Sequence, residues 1–162
     1  MRKALFLDRD GIINVDYGYV CKKEDFFFTD GIFEFLQTIK DPIFVITNQS
    51  GIGRGYYSQQ DFEKLTAYMC QEFAKRSITI TETFYCPHRP DEGCLCRKPE
   101  PKMILDAAKK YEIDLARSTF IGDKCSDMQA ATAAGVGNKI AVGISCKEAD
   151  RSIQSLKGLK IV

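Results

Sequence analysis

The sequence predicts an α/β domain: a mostly parallel sheet with helices on both faces, a Rossmann-like arrangement. Two observations carry this expectation. Short apolar runs of strand length alternate with segments whose apolar residues recur every three or four positions. Each apolar run also passes directly into polar, turn-forming residues. Strands alternating with helices imply a parallel sheet, and in such sheets ligands bind beyond the carboxyl ends of the strands.

The elements follow in order. "ALFL" (4–7) is the first strand and ends in Asp8-Arg9-Asp10-Gly11. A weaker helical pattern spans 31–39. "IFVI" (43–46) is the second strand, followed by Thr47-Asn48-Gln49-Ser50-Gly51. The glycine-rich stretch 50–58 reads as a flexible turn or a phosphate-cradling loop, although it lacks the Gly-Lys-Ser/Thr ending of a Walker motif. Ser58 caps a helix with Asp61 at its third position, and Phe62, Leu65, Met69 and Phe73 form its apolar side. "TFYC" (83–86) is a third strand. Pro101 opens a helix with Met103, Ile104, Ala107, Ala108 and Tyr111 on one side. "TFIG" (119–122) is a strand, "DMQAATAAG" (127–135) a helix ending at Gly135, and "KIAV" (139–142) a further strand. From Ser145 onward the pattern gives only a weak helix and strand.

The 162 residues fit one domain, 1–162, with no linker or repeat, and 44% hydrophobic residues suffice for a packed core. Lys plus Arg (23) against Asp plus Glu (22) gives a net charge of +1. That balance excludes a general attraction to nucleic acid or anionic membrane, so any anion recognition is local. Before Asp8 there are only four apolar residues in a row, too few for a signal peptide or a membrane span. The seven cysteines are an odd number, and three of them stand at metal-ligand rather than disulfide spacing. A reduced, cytoplasmic setting and a monomer acting on a small molecule are expected.

The chemistry-bearing residues cluster after the strands. Asp8 and Asp10 sit two apart, so in extended chain both address one ligand. Thr47 ends the second strand, Lys98 precedes the Pro101 helix, and Asp123 follows the run at 119–121. Alone, Asp123 and Asp127 read as a helix cap and a first-turn acid. Together the group suits phosphoryl transfer to a carboxylate. Asp8 attacks phosphorus and Asp10 serves as acid and then base. Asp8 and Asp123 offer hard oxygens to Mg²⁺, while Lys98 and Thr47 hold the phosphoryl oxygens.

"CPHRPDEGCLCRKP" (86–99) carries Cys86, His88, Cys94 and Cys96, a Cys₃His set of the kind that binds structural Zn²⁺ with no open position. Zinc there would order the loop and place Arg97 and Lys98, which follow its last ligand. Arg97 would grip a second phosphate.

In this order, "FLDRDG", "ITNQSG", "RKP" and "IGDKCSD" resemble the haloacid-dehalogenase superfamily of aspartate-nucleophile phosphatases. "NVDYGYV", "TNQSGIGRG" and the cysteine loop make the chain similar to its D-glycero-D-manno-heptose-1,7-bisphosphate phosphatase family, of the heptose branch of lipopolysaccharide synthesis. The histidinol-phosphate phosphatases are a close relative. The resemblance implies an Asp8 nucleophile, an Asp10 acid/base, and Mg²⁺ on Asp8, the Asp10 carbonyl and Asp123. It implies phosphoryl stabilisation by Thr47 and Lys98. It also implies substrate contacts at Asp16, Tyr17, Gly18, Tyr19, Asn48, Gln49, Ser50, Arg97 and Lys124, and no large cap. The five residues between His88 and Cys94 make a shorter loop than in some heptose enzymes. Other readings are a histidinol-phosphate phosphatase or other phosphomonoesterase, a phosphoacceptor signalling domain, which would lack Asp10, and a zinc-ribbon nucleic-acid binder, against which the charge balance argues.

Overall fold

A computed structural model describes residues 1–161. Six parallel strands form one sheet in the order β3-β2-β1-β4-β5-β6. They are β1 (Leu5–Leu7), β2 (Ile43–Asn48), β3 (Glu82–Cys86), β4 (Thr119–Gly122), β5 (Asn138–Val142) and β6 (Arg151–Ile153). The helices are α1 (Ile32–Gln37), α2 (Ser50–Gly53), α3 (Gln59–Ala74), α4 (Lys102–Tyr111) and α5 (Cys125–Ala134).

The alternation of side chains along the strands divides the core in two. Leu5, Leu7, Ile43, Val45, Ile121 and Ile140 face α1 and α3, whose Ile32, Phe35, Leu65, Met69 and Phe73 complete that layer. Phe6, Phe44, Ile46, Phe120 and Ala141 point the other way, onto Met103, Ile104 and Ala107 of α4 and Met128, Ala130 and Ala131 of α5. Both faces of the inner strands are therefore buried, which is why they read as unbroken apolar runs rather than alternating ones.

The helix signals behave as their chemistry requires. Ser58 Oγ accepts from the Asp61 backbone N–H at 3.0 Å while the Asp61 carboxylate accepts from the Ser58 N–H at 3.0 Å, a complete capping box on α3. Gly135 ends α5 in the left-handed conformation. Three expectations need correction. The helix expected over 31–39 is six residues long. The 50–58 stretch contains the short helix α2 instead of being turn throughout. After Ser145 the described residues form a strand, β6, and no helix. No helix among the described residues is long and apolar enough to cross a membrane.

From β1 the chain runs outward to β2 and β3, then crosses back to β4 on the other side of β1. The strand order therefore reverses between β1 and β4, and a crevice opens above their carboxyl ends at such a point. Asp8 follows β1 and Asp123 follows β4, so the two residues flank it.

Candidate active site

Asp8 begins where β1 stops, and its backbone N–H still donates to Ile121 O at 3.1 Å, which fixes it over β4. Carboxylate oxygens of Asp8, Asp123 and Asp127 lie within 4.8 Å of one another. Between Asp8 and Asp127 stands the ammonium of Lys98, 3.0 Å from Asp8 Oδ1 and 2.6 Å from Asp127 Oδ1. It also donates to Ile46 O at 2.7 Å. An ammonium has three hydrogens, and each has an acceptor here.

Three carboxylates against one ammonium leave an excess of negative charge in a place with little water. Burial, then Asp127, hold the Asp8 carboxyl well above the usual carboxylate range, and Lys98 only partly offsets them. Burial likewise raises the Asp123 carboxyl. For Lys98, burial pulls the other way, but Asp127 and then Asp8 outweigh it and raise its affinity for its proton. The buried Asp123 Oδ1 accepts no hydrogen bond, an orphan that a cation would satisfy. Crowded hard oxygens, surplus negative charge and a buried carboxylate oxygen without a hydrogen bond among the described residues fit Mg²⁺. Gly11 makes this approach possible: a Cβ there would lie 2.0 Å from Asp123 Oδ2, and its φ of +93° is one that only glycine adopts without strain.

Asp10 lies beside this cluster on the turn after β1. Arg9 Nη2 donates to its Oδ1 at 2.8 Å and Asn14 Nδ2 at 3.0 Å, while Gln49 Nε2 donates to its Oδ2 at 3.0 Å. Thr47 is fully buried; its hydroxyl accepts from Gln49 Nε2 at 2.9 Å. Its best acceptor is Asn48 O at 3.4 Å, so its proton is available to an incoming oxyanion.

Beyond these groups opens a cleft of about 280 Å³ lined by Asp16, Gly18, Tyr19, Asn48, Gln49, Ser50, Arg97 and Lys124, together with Asp10, Tyr57 and Ser126. Lys124 spans it, 3.7 Å from Asp16 Oδ2 and 3.9 Å from Asp123 Oδ1. Burial opposes its charge, but Asp123, Asp8 and Asp16 prevail and raise its proton affinity. Nη1 of Arg97 is buried and has no hydrogen-bond partner among the described residues. A larger hollow of about 330 Å³, bounded by Arg2, Pro42 and Thr81, lies at the opposite end of the strands and holds no comparable chemistry.

The structure thus brings together nearly all the residues the sequence singled out, with three differences. Tyr17 is exposed and packs edge-on against Phe27 instead of lining the cleft. Its neighbours Asp16 and Gly18 turn there, with the Gly18 N–H bonded to Asp16 Oδ1 at 3.0 Å, and the turn directs Tyr17 outward. Gln49 lines the cleft, but its amide is engaged inward. His88 stands apart from the sulfur cluster of Cys86, Cys94 and Cys96, whose Sγ atoms lie within 4.8 Å of one another. Its Nδ1 instead pairs with Glu92 Oε2 at 2.8 Å across the turn at Pro90. The Cys86 and Cys96 sulfurs are in contact, and Cys94 Sγ is 3.6 Å from Cys86 Sγ. A disulfide would account for two sulfurs; a thiophilic cation accounts for all three.

Sequence reasoning missed Arg9, Asp127 and Tyr57 as parts of the site. Arg9 is 1% exposed and holds both Asp10 and, at 2.9 Å, Val20 O. Its place between Asp8 and Asp10 was the available signal.

The loops that join Asp8, Asp10, Thr47, Lys98 and Asp123 above a parallel sheet define a haloacid-dehalogenase-type phosphatase. Comparison with known proteins narrows the class. A family model described as HAD-hydrolase-like matches residues 95–149. The chain is 51% identical over 160 residues to the D-glycero-alpha-D-manno-heptose-1,7-bisphosphate 7-phosphatase of Campylobacter jejuni, covering 96% of this chain and 92% of that one. It is 49% identical to the D-glycero-beta-D-manno-heptose-1,7-bisphosphate 7-phosphatase of Helicobacter pylori J99, covering 98% and 93%. The crystal structure of D,D-heptose 1,7-bisphosphate phosphatase from B. bronchiseptica, complexed with magnesium and phosphate, superposes with a TM-score of 0.87 at 30% identity, covering 95% of this chain and 93% of that one. The chain belongs to the heptose-1,7-bisphosphate 7-phosphatase family.

Proposed function

We propose that this phosphatase removes the 7-phosphate of a D-glycero-D-manno-heptose 1,7-bisphosphate through an aspartyl phosphate on Asp8, a step toward the ADP-heptose used in lipopolysaccharide core assembly. The observation that carries the reading is the convergence of Asp8, Asp123 and Asp127 on the buried ammonium of Lys98. In the first half-reaction an Asp8 oxygen attacks phosphorus in line with the leaving sugar oxygen, which takes its proton from Asp10. In the second, Asp10 removes a proton from water, and the hydroxide displaces Asp8 and frees phosphate. Lys98 and the Thr47 hydroxyl meet the phosphoryl oxygens as charge shifts among them. Asp127 keeps Lys98 charged and in place. Mg²⁺, held by Asp8, Asp123 and the Asp10 carbonyl, supplies the positive charge that lets a carboxylate approach a phosphate dianion.

The second phosphate and the sugar lie toward Arg97, Lys124, Asp16, Gly18 and Tyr19, with Asn48 and Ser50 at the cleft floor. Arg97 suits a phosphate because its buried Nη1 still needs an acceptor. Zn²⁺ on Cys86, Cys94 and Cys96 would serve structure alone, with His88 as the fourth ligand only if its imidazole turns toward the sulfurs from its place beside Glu92. Such a zinc site needs reduced thiols, which a cytoplasmic setting would maintain. The reading takes a small molecule as the substrate and a monomer as the working unit.

Phosphate release from heptose 1,7-bisphosphate, other sugar phosphates and histidinol phosphate tests the reading. Turnover of the bisphosphate with loss of one of its two phosphates is expected. Activity on histidinol phosphate alone would reject the heptose assignment, and a single stoichiometric phosphorylation without sustained release would favour a phosphoacceptor domain.

A further inference from the structure

Gln49 is next to the reacting groups, yet its side chain turns into the protein and the residue is only 3% exposed. Its Nε2 donates to Asp10 Oδ2 at 3.0 Å and to Thr47 Oγ1 at 2.9 Å. Its Oε1 accepts from the Tyr57 hydroxyl. Both amide hydrogens and the amide oxygen are therefore engaged before any substrate arrives.

The three contacts are mutually dependent. A reversed amide would set Oε1 against Asp10 Oδ2, acceptor against acceptor. The Asp10 carboxylate therefore selects the observed orientation, and the Tyr57 hydroxyl holds it by donating to Oε1; burial pushes its phenol up to about 12, so it keeps its proton. Tyr57 reaches Gln49 only because position 51 is glycine: a Cβ there would lie 2.2 Å from Tyr57 Cε1. Asp10 Oδ1 is committed to Arg9 and Asn14, which leaves Oδ2 as the oxygen that can exchange a proton with a ligand. Among the described residues, the Gln49 amide is the side chain that donates to Oδ2.

We infer that Gln49 and Tyr57 are a positioning pair, not a substrate contact: together they aim the proton-transferring oxygen of Asp10 and the hydroxyl of Thr47. The inference rests on the reaction proposed above and deepens it. It predicts which step suffers when the pair is broken. Departure of a sugar oxygen needs an aimed acid, whereas departure of an acidic phenol from an aryl phosphate does not.

The test compares wild type, Tyr57→Phe and Gln49→Leu on heptose 1,7-bisphosphate and on p-nitrophenyl phosphate. On the sugar substrate, kcat should fall about 10-fold or more in Gln49→Leu and several-fold in Tyr57→Phe, with KM changing by less than about two-fold. On the aryl phosphate the loss of kcat/KM, which reports leaving-group departure and not the hydrolysis both substrates share, should be several times smaller than on the sugar substrate. Because the two substrates are compared in one preparation, their ratio is independent of how much of a variant is folded. A raised KM with unchanged kcat would make Gln49 a substrate contact and overturn the inference. Equal losses of kcat/KM on both substrates, or none, would overturn it too. Absence of Mg²⁺-dependent phosphate release in wild type would instead remove the proposed reaction itself.

Discussion

The Lys98 ammonium lies closer to Asp127, at 2.6 Å, than to Asp8, at 3.0 Å. Asp127 therefore holds the lysine more closely than Asp8 does. Asp127 also accepts at 3.2 Å and 3.1 Å from the backbone N–H groups of Asp123 and Lys124, capping α5. One carboxylate thus ties the helix, a residue from a distant loop and a Mg²⁺ candidate into one unit.

Replacing Asp127 should damage both stability and rate. Asp127→Ala leaves Lys98 buried and half-paired, a change that costs about 3–5 kcal/mol, and kcat/KM should fall about 100-fold. Denaturant unfolding and steady-state kinetics measure the two. Stability equal to wild type would show that Asp8 alone holds the lysine.

Asp8→Asn should abolish turnover, by about 1,000-fold or more, with the fold kept. Acid quench of wild type during turnover should leave phosphate bound covalently to the peptide containing Asp8, and the variant should show none. The pH dependence follows from the raised carboxyl. A raised folded-state value favours the protonated form, so Asp8 contributes stability below its unfolded value near 3.8, and that contribution is lost as pH rises through the folded value. Without Mg²⁺, wild type should lose stability relative to Asp8→Asn as pH rises from about 4 toward neutrality. Added Mg²⁺ should reverse the loss.

Gly11→Ala should act on the same cluster from its other side. A methyl 2.0 Å from Asp123 Oδ2 and a φ of +93° together force the turn or Asp123 to move. A cost of about 1–3 kcal/mol is expected, with a larger effect on the Mg²⁺ concentration needed for half-maximal rate. Metal titration of the activity reads it directly; an unchanged half-maximal concentration would exclude Asp123 from the metal site.

The two proposed metals should separate by their readouts. Removing Mg²⁺ should stop phosphate release at once and leave the protein folded. Removing Zn²⁺ should raise amide exchange across residues 86–99 and reduce turnover only as the Arg97 and Lys98 loop loosens. Equal unfolding on removal of either metal would contradict that division.

The inner strands were legible because both their faces are buried, which writes them as continuous apolar runs. β6 was not, because Arg151-Ser152-Ile153 is a three-residue edge strand with two exposed positions. Asp8, Asp10, Thr47, Lys98 and Asp123 could be found because parallel topology places every strand end at one crevice. Asp127 could not: its role depends on Lys98, 29 positions earlier in the chain, and its local signal as a first-turn acid is equally true. The inward turn of Gln49 depends likewise on Tyr57, whose hydroxyl has no sequence signature. His88 shows the reverse, where ligand spacing was right for a metal but the side chain also had Glu92 within reach.

Asn48 and Lys98 hold each other twice: the Lys98 N–H donates to Asn48 Oδ1 at 3.0 Å and Asn48 Nδ2 to Lys98 O at 3.3 Å. At the other end of the same segment, the Gln49 N–H donates to Cys86 O at 2.8 Å. Both roots of the cysteine excursion are therefore moored to the end of β2, independently of what lies between them. Lengthening an excursion whose ends are already fixed adds only a slowly growing entropy term. Insertions between His88 and Cys94 can consequently accumulate over evolution while the buried lysine keeps its place beside Asp8 and Asp127.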